Sequence, residues 1–290
     1  MDRTGLRERL ETALGARVER LAPLSVGFGL TGAVAALGDG RRVAVKARTR
    51  ESAERAGLDV EGAMLADLVR LSALPVPHVY VAEPDLLVMD FIDNDGGTIT
   101  PAVERDAARL LAQLHAVPRP SFGYERDTRI GPLDQPNPRT DAWVPFFRDR
   151  RLLFMARAAR DEGRLPLSLY KRIERLADGL GRYLSEPPYP SLLHGDLWTG
   201  NVLVKNDRIA GFVDPAIYHG HPEIELAFTT MFGTFGDAFF DAYEDTLPLE
   251  PGFHEVRRDI YNLYPTLVHV RLFGGSYVAA VERTLVKLGF

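Results

Sequence analysis

The chain contains no cysteine among its 290 residues. Disulfides, zinc–thiolate sites, iron–sulfur clusters and cysteine nucleophiles are therefore excluded, and the composition fits a reducing compartment. The sequence also lacks an apolar stretch long enough to span a bilayer, and its charged start, MDRTGLRERLETALG, is typical of an amphipathic helix rather than a signal peptide. We expect a cytoplasmic protein that does not enter the membrane.

Positive charge is not in excess either. Lys and Arg number 35 against 40 Asp and Glu, which gives a formal net charge of −5. This balance offers no general electrostatic attraction to nucleic acid or to an anionic membrane, so we expect neither as a partner. With 290 residues, 46% of them hydrophobic, the chain can bury a large core and is long enough to divide it between two lobes.

Strand-like sequence dominates from about residue 21 to residue 92. The segments SVGFGLTGAVAAL and RRVAVKAR flank Asp39-Gly40 and predict a hairpin. Helical spacing follows over residues 52–71, and two further strands, VPHVYVA and LLVMDFI, are separated by a turn at residues 83–85. Residues 1–92 are therefore predicted to form a small, mostly antiparallel sheet that carries one main helix.

The polar, Gly-rich stretch DNDGG at residues 93–97 is the predicted hinge. Beyond it, residues 98–290 are mainly helical in pattern, with Thr100 as N-cap and Pro101 as first residue of the first helix. The Pro-, Gly- and Asp-rich segment 117–145 is expected to be a surface excursion. The whole reads as an α+β protein of two lobes.

The segment LLHGDLWTGNVLV places an Asp and an Asn five positions apart, and GFVDPA follows it. His194-Gly195-Asp196 and Asn201 match the H-x-D-x-x-x-x-N spacing of a kinase catalytic loop, with Asp214-Pro215-Ala216 where D-F-G stands in protein kinases. Phosphoryl transfer needs a group that orients the attacking hydroxyl, and metal ions that neutralise the phosphate oxygens. Asp196 is the predicted catalytic base, and Asn201 and Asp214 are the predicted Mg²⁺ ligands.

The N-terminal half supplies the remaining parts of a nucleotide site. Gly27, Gly29 and Gly32 fit the G-x-G-x-x-G-x-V pattern, and Lys46 lies in VAVK, where a kinase places its phosphate-binding lysine. Glu61 on the following helix is the predicted partner of that lysine. The end of LLVMDFI is predicted to bind the adenine edge of ATP, with Met89, Asp90, Phe91 and Ile92.

Each motif is weak when taken alone. The glycine pattern also occurs in dinucleotide-binding Rossmann folds, but there a helix follows the glycines, whereas here a strand and a hairpin turn follow. His219 and His221 lack a third ordered ligand, so we assign them no metal. Trp198 fits either a core position or a wall facing the substrate. The motifs favour a kinase because they occur together and in the expected order.

Longer segments carry a narrower resemblance. LLHGDLWTGNVLV, VDPAIYHGHPEIELAF, MFGTFGDAFFDAY and RLFGGSY, together with FGY, IGPLDQPNP and RRL in the central region, resemble the fructosamine kinase family. That family is related to aminoglycoside and choline kinases and has a two-lobed, protein-kinase-like fold. The resemblance extends over most of the chain.

The resemblance implies ATP- and Mg²⁺-dependent phosphorylation of ketosamines, which are sugar–amine adducts, at the sugar 3-hydroxyl. The phosphorylated adduct then decomposes and frees the amine, so that glycated small molecules or proteins are deglycated. Trp198 matches the tryptophan beside the sugar, and His194 and Glu223 are also expected to face the substrate. Some relatives have a redox-active cysteine in the Gly-rich loop, but SVGFGLTG has none.

Two rival hypotheses remain open at this point. An aminoglycoside- or choline-type kinase would share every residue of the nucleotide site. A nucleotide-binding pseudokinase that acts as a regulator is less favoured, because Lys46, Asp196, Asn201 and Asp214 are all present. The sequence does not distinguish ribulosamine from fructosamine substrates.

Overall fold

A computed structural model describes residues 3–48 and 57–290 of the chain. The N-terminal part contains two helices and a five-stranded antiparallel sheet in the order β1-β2-β3-β5-β4. The small antiparallel sheet predicted from the sequence is confirmed. The elements are α1 (Arg3–Leu14), β1 (Val18–Leu24), β2 (Thr31–Leu37), β3 (Arg42–Ala47), α2 (Leu58–Leu71), β4 (Val79–Glu83) and β5 (Leu86–Asp90).

The first strands differ from the prediction. Strand β1 begins before the predicted sheet region, and residues 25–30, predicted as strand, form a loop between β1 and β2. The backbone of Phe28 and Gly29 is left-handed, with φ of 58° and 69°, which is incompatible with an extended strand. The Asp39-Gly40 turn between β2 and β3 is confirmed. Of the predicted helix over residues 52–71, the part before residue 57 lies outside the described residues.

The sheet is covered on both faces. Leu6 and Leu10 of α1 pack with Val43 and Val45 of β3 on one face, and Leu65 of α2 belongs to the cluster on the other face. Side chains along a strand alternate between the faces of the sheet. Lys46, one residue beyond Val45, therefore projects toward α2.

The predicted hinge, residues 93–97, has no regular secondary structure and connects β5 to the helical part. Asp93 forms an ion pair with Lys205 at 2.5 Å, and the Asp95 N–H donates to the Val204 carbonyl at 3.1 Å. The helix that follows begins as predicted, because Thr100 accepts a hydrogen bond from the Val103 N–H.

The C-terminal part is mainly helical, with three two-stranded sheets, β6/β7, β8/β11 and β9/β10. A segment of wider π-helical turns, Phe147–Leu152, joins α4 to α5. The elements are α3 (Pro101–His115), β6 (Thr128–Ile130), β7 (Leu133–Gln135), α4 (Trp143–Phe146), α5 (Leu153–Asp161), α6 (Leu167–Asp178), β8 (Ser191–Leu193), β9 (Val202–Lys205), β10 (Arg208–Phe212), β11 (Tyr218–Gly220), α7 (Pro222–Met231), α8 (Asp237–Glu244), α9 (Arg258–Phe273) and α10 (Ser276–Lys287).

The expectation of a surface excursion over residues 117–145 is wrong for much of that segment. Phe122, Tyr124 and Trp143 are buried in the main hydrophobic core. The side chain of Gln135 is also buried, where it donates to the Ala216 carbonyl at 2.9 Å and accepts from the Tyr264 hydroxyl at 2.7 Å. Proline and glycine indicate turns, but such turns can be buried when side-chain amides satisfy the backbone polar groups.

No helix in the described ranges is both long enough and apolar enough to cross a membrane.

Candidate active site

The His-Gly-Asp segment leaves the end of β8 in a tight turn. Strand β11 pairs with β8, and the Ala216 N–H donates to the His194 carbonyl at 2.8 Å. Gly195 has φ of 86°, and a Cβ at this position would lie 2.1 Å from the Ala216 carbonyl oxygen. Only glycine fits here, because it tolerates the left-handed backbone and leaves room for the neighbouring strand end.

A buried carboxylate holds this turn from below. Glu225 accepts hydrogen bonds from the Gly195 N–H at 2.5 Å and from the His194 N–H at 3.2 Å. His115 lies 2.8 Å from the same carboxylate and 2.8 Å from the Tyr243 hydroxyl. Burial alone would raise the pKa of Glu225, but the hydrogen bonds and charge it receives from His115 lower it below its usual value.

Asp196 and Asn201 are brought together across the loop. The Asn201 Nδ2 donates to the Asp196 carbonyl at 2.8 Å and to Asp196 Oδ2 at 3.0 Å. Burial and the nearby charge of Asp214 raise the pKa of Asp196 to about 7, despite the hydrogen bond from Asn201. A carboxylate with a pKa near neutrality is suited to accept a proton from a hydroxyl group.

Lys46 connects β3, α2 and the segment after β10. Its Nζ lies 2.7 Å from Glu61 Oε1 and 2.6 Å from Asp214 Oδ1. Burial opposes the charge of Lys46, but the two carboxylates outweigh it and raise the pKa above the usual value. The pKa of Glu61 is raised by burial, and the charge of Asp214 adds to the effect. The predicted lysine–glutamate pair is therefore formed.

Asp214 lies next to Asn201 with a left-handed backbone, φ 55°. Because the Asn201 amide nitrogen is held by Asp196, its Oδ1 and the Asp214 carboxylate are oxygen donors suited to Mg²⁺. Within residues 3–48 and 57–290, no group of three or more His, Cys, Asp or Glu side chains forms a metal site. Two protein oxygens fit a Mg²⁺ ion that takes its remaining ligands from phosphate and water.

These groups open into a cavity of about 600 Å³. Its walls come from the loop before β2, from β6 and the turn after it, from the loop of residues 194–201 and from the C-terminal helices. The predicted site residues that line it are Gly27, Lys46, Glu61, Asp196, Trp198, Asn201 and Asp214.

The other predicted glycines do not line this cavity. Gly29 is in the loop with a left-handed backbone. Gly32 is in β2, where a Cβ would lie 2.2 Å from the Leu24 carbonyl oxygen of the neighbouring strand. Gly32 therefore has a packing role in the hairpin rather than a position against a ligand.

The four residues predicted to bind adenine lie at the end of β5 and also do not line the cavity. Met89 is buried against α2, and the Asp90 carboxylate accepts a hydrogen bond from the Tyr80 hydroxyl at 2.7 Å. The Asp90 and Phe91 N–H groups donate to the carbonyls of His78 and Arg42. Within the described ranges, the Ile92 N–H donates no hydrogen bond, so it is the amide of this stretch that is left for a ligand.

The structure places two of the three predicted substrate residues elsewhere. His194 is fully buried beneath the loop. The Glu223 carboxylate is buried too, and it pairs with Arg257 through two hydrogen bonds of 2.7 and 2.6 Å. Neither lines the cavity that contains Asp196. Trp198, by contrast, is 40% exposed and forms part of the cavity wall.

Further cavity residues were not predicted from the sequence. They are aromatic or apolar residues of α7, α9 and α10 and of the loop after α7. The set is Phe228, Phe232, Pro265, Val268, His269, Leu272, Phe273 and Tyr277. Phe228, Phe232, Leu272, Phe273 and Tyr277 lie in segments that carry the family resemblance, but no motif assigned them to a ligand site, and Pro265, Val268 and His269 lie outside those segments.

Lys46 on the antiparallel sheet pairs with Glu61 on α2, and the loop after β8 carries the Asp196–Asn201 pair and precedes Asp214. This arrangement defines an ATP-dependent phosphotransferase with a protein-kinase-like fold. The family model for fructosamine kinase matches residues 8–289. The chain belongs to the fructosamine kinase family.

Individual proteins agree with this assignment. A protein of Synechocystis sp. named "Probable ketoamine kinase" is 35% identical over 236 residues, which are 80% of this chain and 76% of that protein. A crystal structure assigned as a fructosamine-3-kinase of Thermobifida fusca superimposes with a TM-score of 0.90 at 31% identity, over 99% of both chains. An ADP-bound aminoglycoside phosphotransferase shares the fold, with a TM-score of 0.63 at 17% identity over 99% of this chain and 98% of that chain.

Proposed function

We propose that the protein transfers the γ-phosphoryl group of ATP to the 3-hydroxyl of ketosamines, free or attached to glycated proteins, and thereby starts their deglycation. The observation that carries the proposal is the Asp196 carboxylate, held by Asn201 at 3.0 Å in a cavity that also contains the Lys46–Asp214 pair. The similarity to proteins named ketoamine kinase and fructosamine-3-kinase supports the substrate class. A chain without cysteine suits the reducing cytoplasm.

In the proposed mechanism, the acceptor hydroxyl donates a hydrogen bond to Asp196, which takes its proton as the phosphoryl group arrives. Lys46 is positioned by Glu61 to hold the phosphates, and no covalent enzyme intermediate is needed. Asn201 Oδ1 and Asp214 would hold Mg²⁺, which neutralises charge on the transferring phosphoryl group when bound. Electrostatic positioning is therefore the main contribution of this chain.

We also assign a functional part to each section of the chain. Residues 1–92 would bind the nucleotide, residues 93–97 would act as the hinge, and residues 98–290 would supply the catalytic loop and the acceptor site. The free Ile92 N–H just before the hinge is the group that we assign to the adenine edge.

The test of this function is ADP release with Mg²⁺-ATP against ribulose-lysine, fructose-lysine, kanamycin and choline. We expect turnover with the ketosamines alone, and the ratio of the two lysine adducts ranks the sugars. Turnover only with kanamycin or choline would agree with the kinase fold but would show that ketosamines are the wrong substrate class. ATP binding without any turnover would favour the regulatory pseudokinase.

Removing the Asp214 carboxylate is predicted to weaken nucleotide binding only when the metal is present. Calorimetric titration of Asp214→Ala with ATP should show at least about tenfold weaker affinity in Mg²⁺, because a charged metal ligand is lost. Without Mg²⁺, the affinity should match or exceed that of the wild type, since Lys46 then loses a competing carboxylate. Equal weakening in both conditions would assign Asp214 to the fold rather than to the metal.

A further inference from the structure

Beyond Asp196, one side of the cavity is a continuous series of rings, which we call the aromatic wall: Trp198, Phe232, His269, Phe273 and Tyr277. Ring centroids are 6.2 Å apart between Trp198 and Phe232, and 5.3 Å apart between Phe232 and His269. His269 is in turn 5.5 Å from Phe273 and 4.8 Å from Tyr277. The wall thus begins two residues after the predicted base and extends to the start of α10.

The aromatic wall is exposed to the cavity although it is apolar. Phe232 is 41% exposed, and Phe273 is 58% exposed. Contiguous exposed apolar surface is uncommon on soluble proteins, and where it occurs it often marks a binding site. The wall therefore has the character of a ligand subsite.

Among the described residues, the formal charges of the cavity lining come from elements other than α7, α9 and α10. Among the described residues that line it, the charged ones are Lys46, Arg48, Glu61, Arg129, Asp196 and Asp214. The lining residues from α7, α9 and α10 include no Asp, Glu, Lys or Arg. A charged group on a ligand bound against the aromatic wall would lose water without gaining an ion pair.

His269 adds one polar group to the wall. Its Nδ1 lies 2.7 Å from the Pro265 carbonyl, which can only accept, so Nδ1 carries the hydrogen. Burial lowers the pKa of His269 below its usual value, which favours the neutral ring. In this tautomer Nε2 is a hydrogen-bond acceptor, and it is suited to the N–H of an amine.

We infer that the aromatic wall binds the amine-derived part of the ketosamine and selects adducts whose amine substituent is apolar or aromatic and carries no charge of its own. This inference rests on the proposed function. When the sugar hydroxyl reaches Asp196 with the sugar beside Trp198, the substituent on the amine extends along the wall. The ammonium that joins sugar and substituent can face aromatic rings and His269 Nε2.

A series of ketosamines that share one sugar tests the inference. The amines are benzylamine and Nα-acetyl-lysine methylamide, which carry no charge beyond the sugar-linked nitrogen, and free lysine, which carries an α-carboxylate and an α-ammonium. We expect kcat/KM to be lowest for the free-lysine adduct by about tenfold or more, because its α-carboxylate and α-ammonium have no partner on the wall. The difference should lie in KM and in Kd from calorimetry, with kcat similar for all three.

Variants connect the preference to the wall. Phe273→Ala and Tyr277→Ala should raise KM for the benzylamine adduct by about tenfold, and should change KM for the free-lysine adduct by less than about twofold. Val286→Ala is the matched control on α10, since Val286 is 64% exposed and lies away from the cavity. Val286→Ala should leave KM for all three adducts unchanged.

The possible outcomes separate the two proposals. Equal kcat/KM for the three adducts, or equal losses for all three in Phe273→Ala, overturns the selection by the wall and leaves the ketosamine kinase intact. Turnover of none of them, with ATP still bound, overturns the proposed function and the inference with it.

Discussion

Asp196→Asn is expected to lower kcat by about 10²- to 10⁴-fold, because it removes the group that accepts the proton of the acceptor hydroxyl. The substitution keeps the shape of the side chain, so ATP affinity measured by calorimetry should stay within about twofold of the wild type. Asp241→Asn, the same change at an exposed position of α8, is the control and should retain full activity. Turnover of Asp196→Asn close to that of the wild type would remove Asp196 from the mechanism.

The raised pKa of Asp196 makes two further measurements informative. Because the base acts ionised and its pKa is about 7, kcat/KM of the wild type should rise with pH through about 7. The folded-state pKa lies above the unfolded value, so the native state loses stability as pH rises toward about 7. Asp196→Asn should therefore melt at a higher temperature than the wild type at pH 8, which separates lost activity from lost folding.

Gly195→Ala is expected to destabilise the protein and to remove most of its activity. The new Cβ would lie 2.1 Å from the Ala216 carbonyl oxygen, so β8 and β11 must separate or the loop must turn away from Glu225. A residue other than glycine also pays a conformational cost at φ 86°. Together, the clash and this cost should lower the free energy of unfolding by about 3 kcal/mol or more. Denaturant titration measures this loss.

Gly233→Ala is the control that separates the cost of a left-handed backbone from the cost of the steric clash with Ala216. Gly233 also has a left-handed backbone, φ 63°, but a Cβ there would meet no atom within 4 Å. Its loss of stability should be about 1 kcal/mol, with near-normal turnover. If both alanine variants behave alike, the contact with Ala216 is relieved at no cost, and the rigidity assigned to the turn is wrong.

The parts of the site that were predictable are those encoded by local geometry. Asp196 and Asn201 are five positions apart in one loop, and a hydrogen bond within that loop brings them together. The alternation of β3 places Lys46 on the face that carries α2, where Glu61 is available. The motif spacing predicted that Asp196 and Asn201 belong to one site and that Glu61 pairs with Lys46, whereas the hydrogen bond between Asp196 and Asn201 is a finding of the structure.

The support beneath the loop was not predictable in the same way. Glu223 and Glu225 are two residues apart in α7, and such neighbours point to different sides of a helix. Glu223 pairs with Arg257, and Glu225 accepts the hydrogen bond of the Gly195 N–H. The sequence alone does not give the rotation of α7 about its axis. That rotation determines which of the two carboxylates contacts the loop after β8.

Long-range packing also explains the remaining differences between the sequence predictions and the structure. The rings of the aromatic wall come from segments separated by up to about eighty residues, and only the fold places them side by side. Residues 117–145 have the composition of an exposed loop, yet Phe122 and Trp143 within it are buried in the core. The composition of a segment indicates its local conformation, but it does not show which parts of the chain pack against it.

The ion pairs of Lys46 have a consequence for control of the enzyme. Regulated protein kinases form the lysine–glutamate pair only in their active state, and phosphorylation or helix movement switches them on. In this chain the same lysine contacts Glu61 at 2.7 Å and Asp214 at 2.6 Å. The lysine–glutamate pair that an activating step would have to form is already present in this structure, so α2 needs no displacement to complete it.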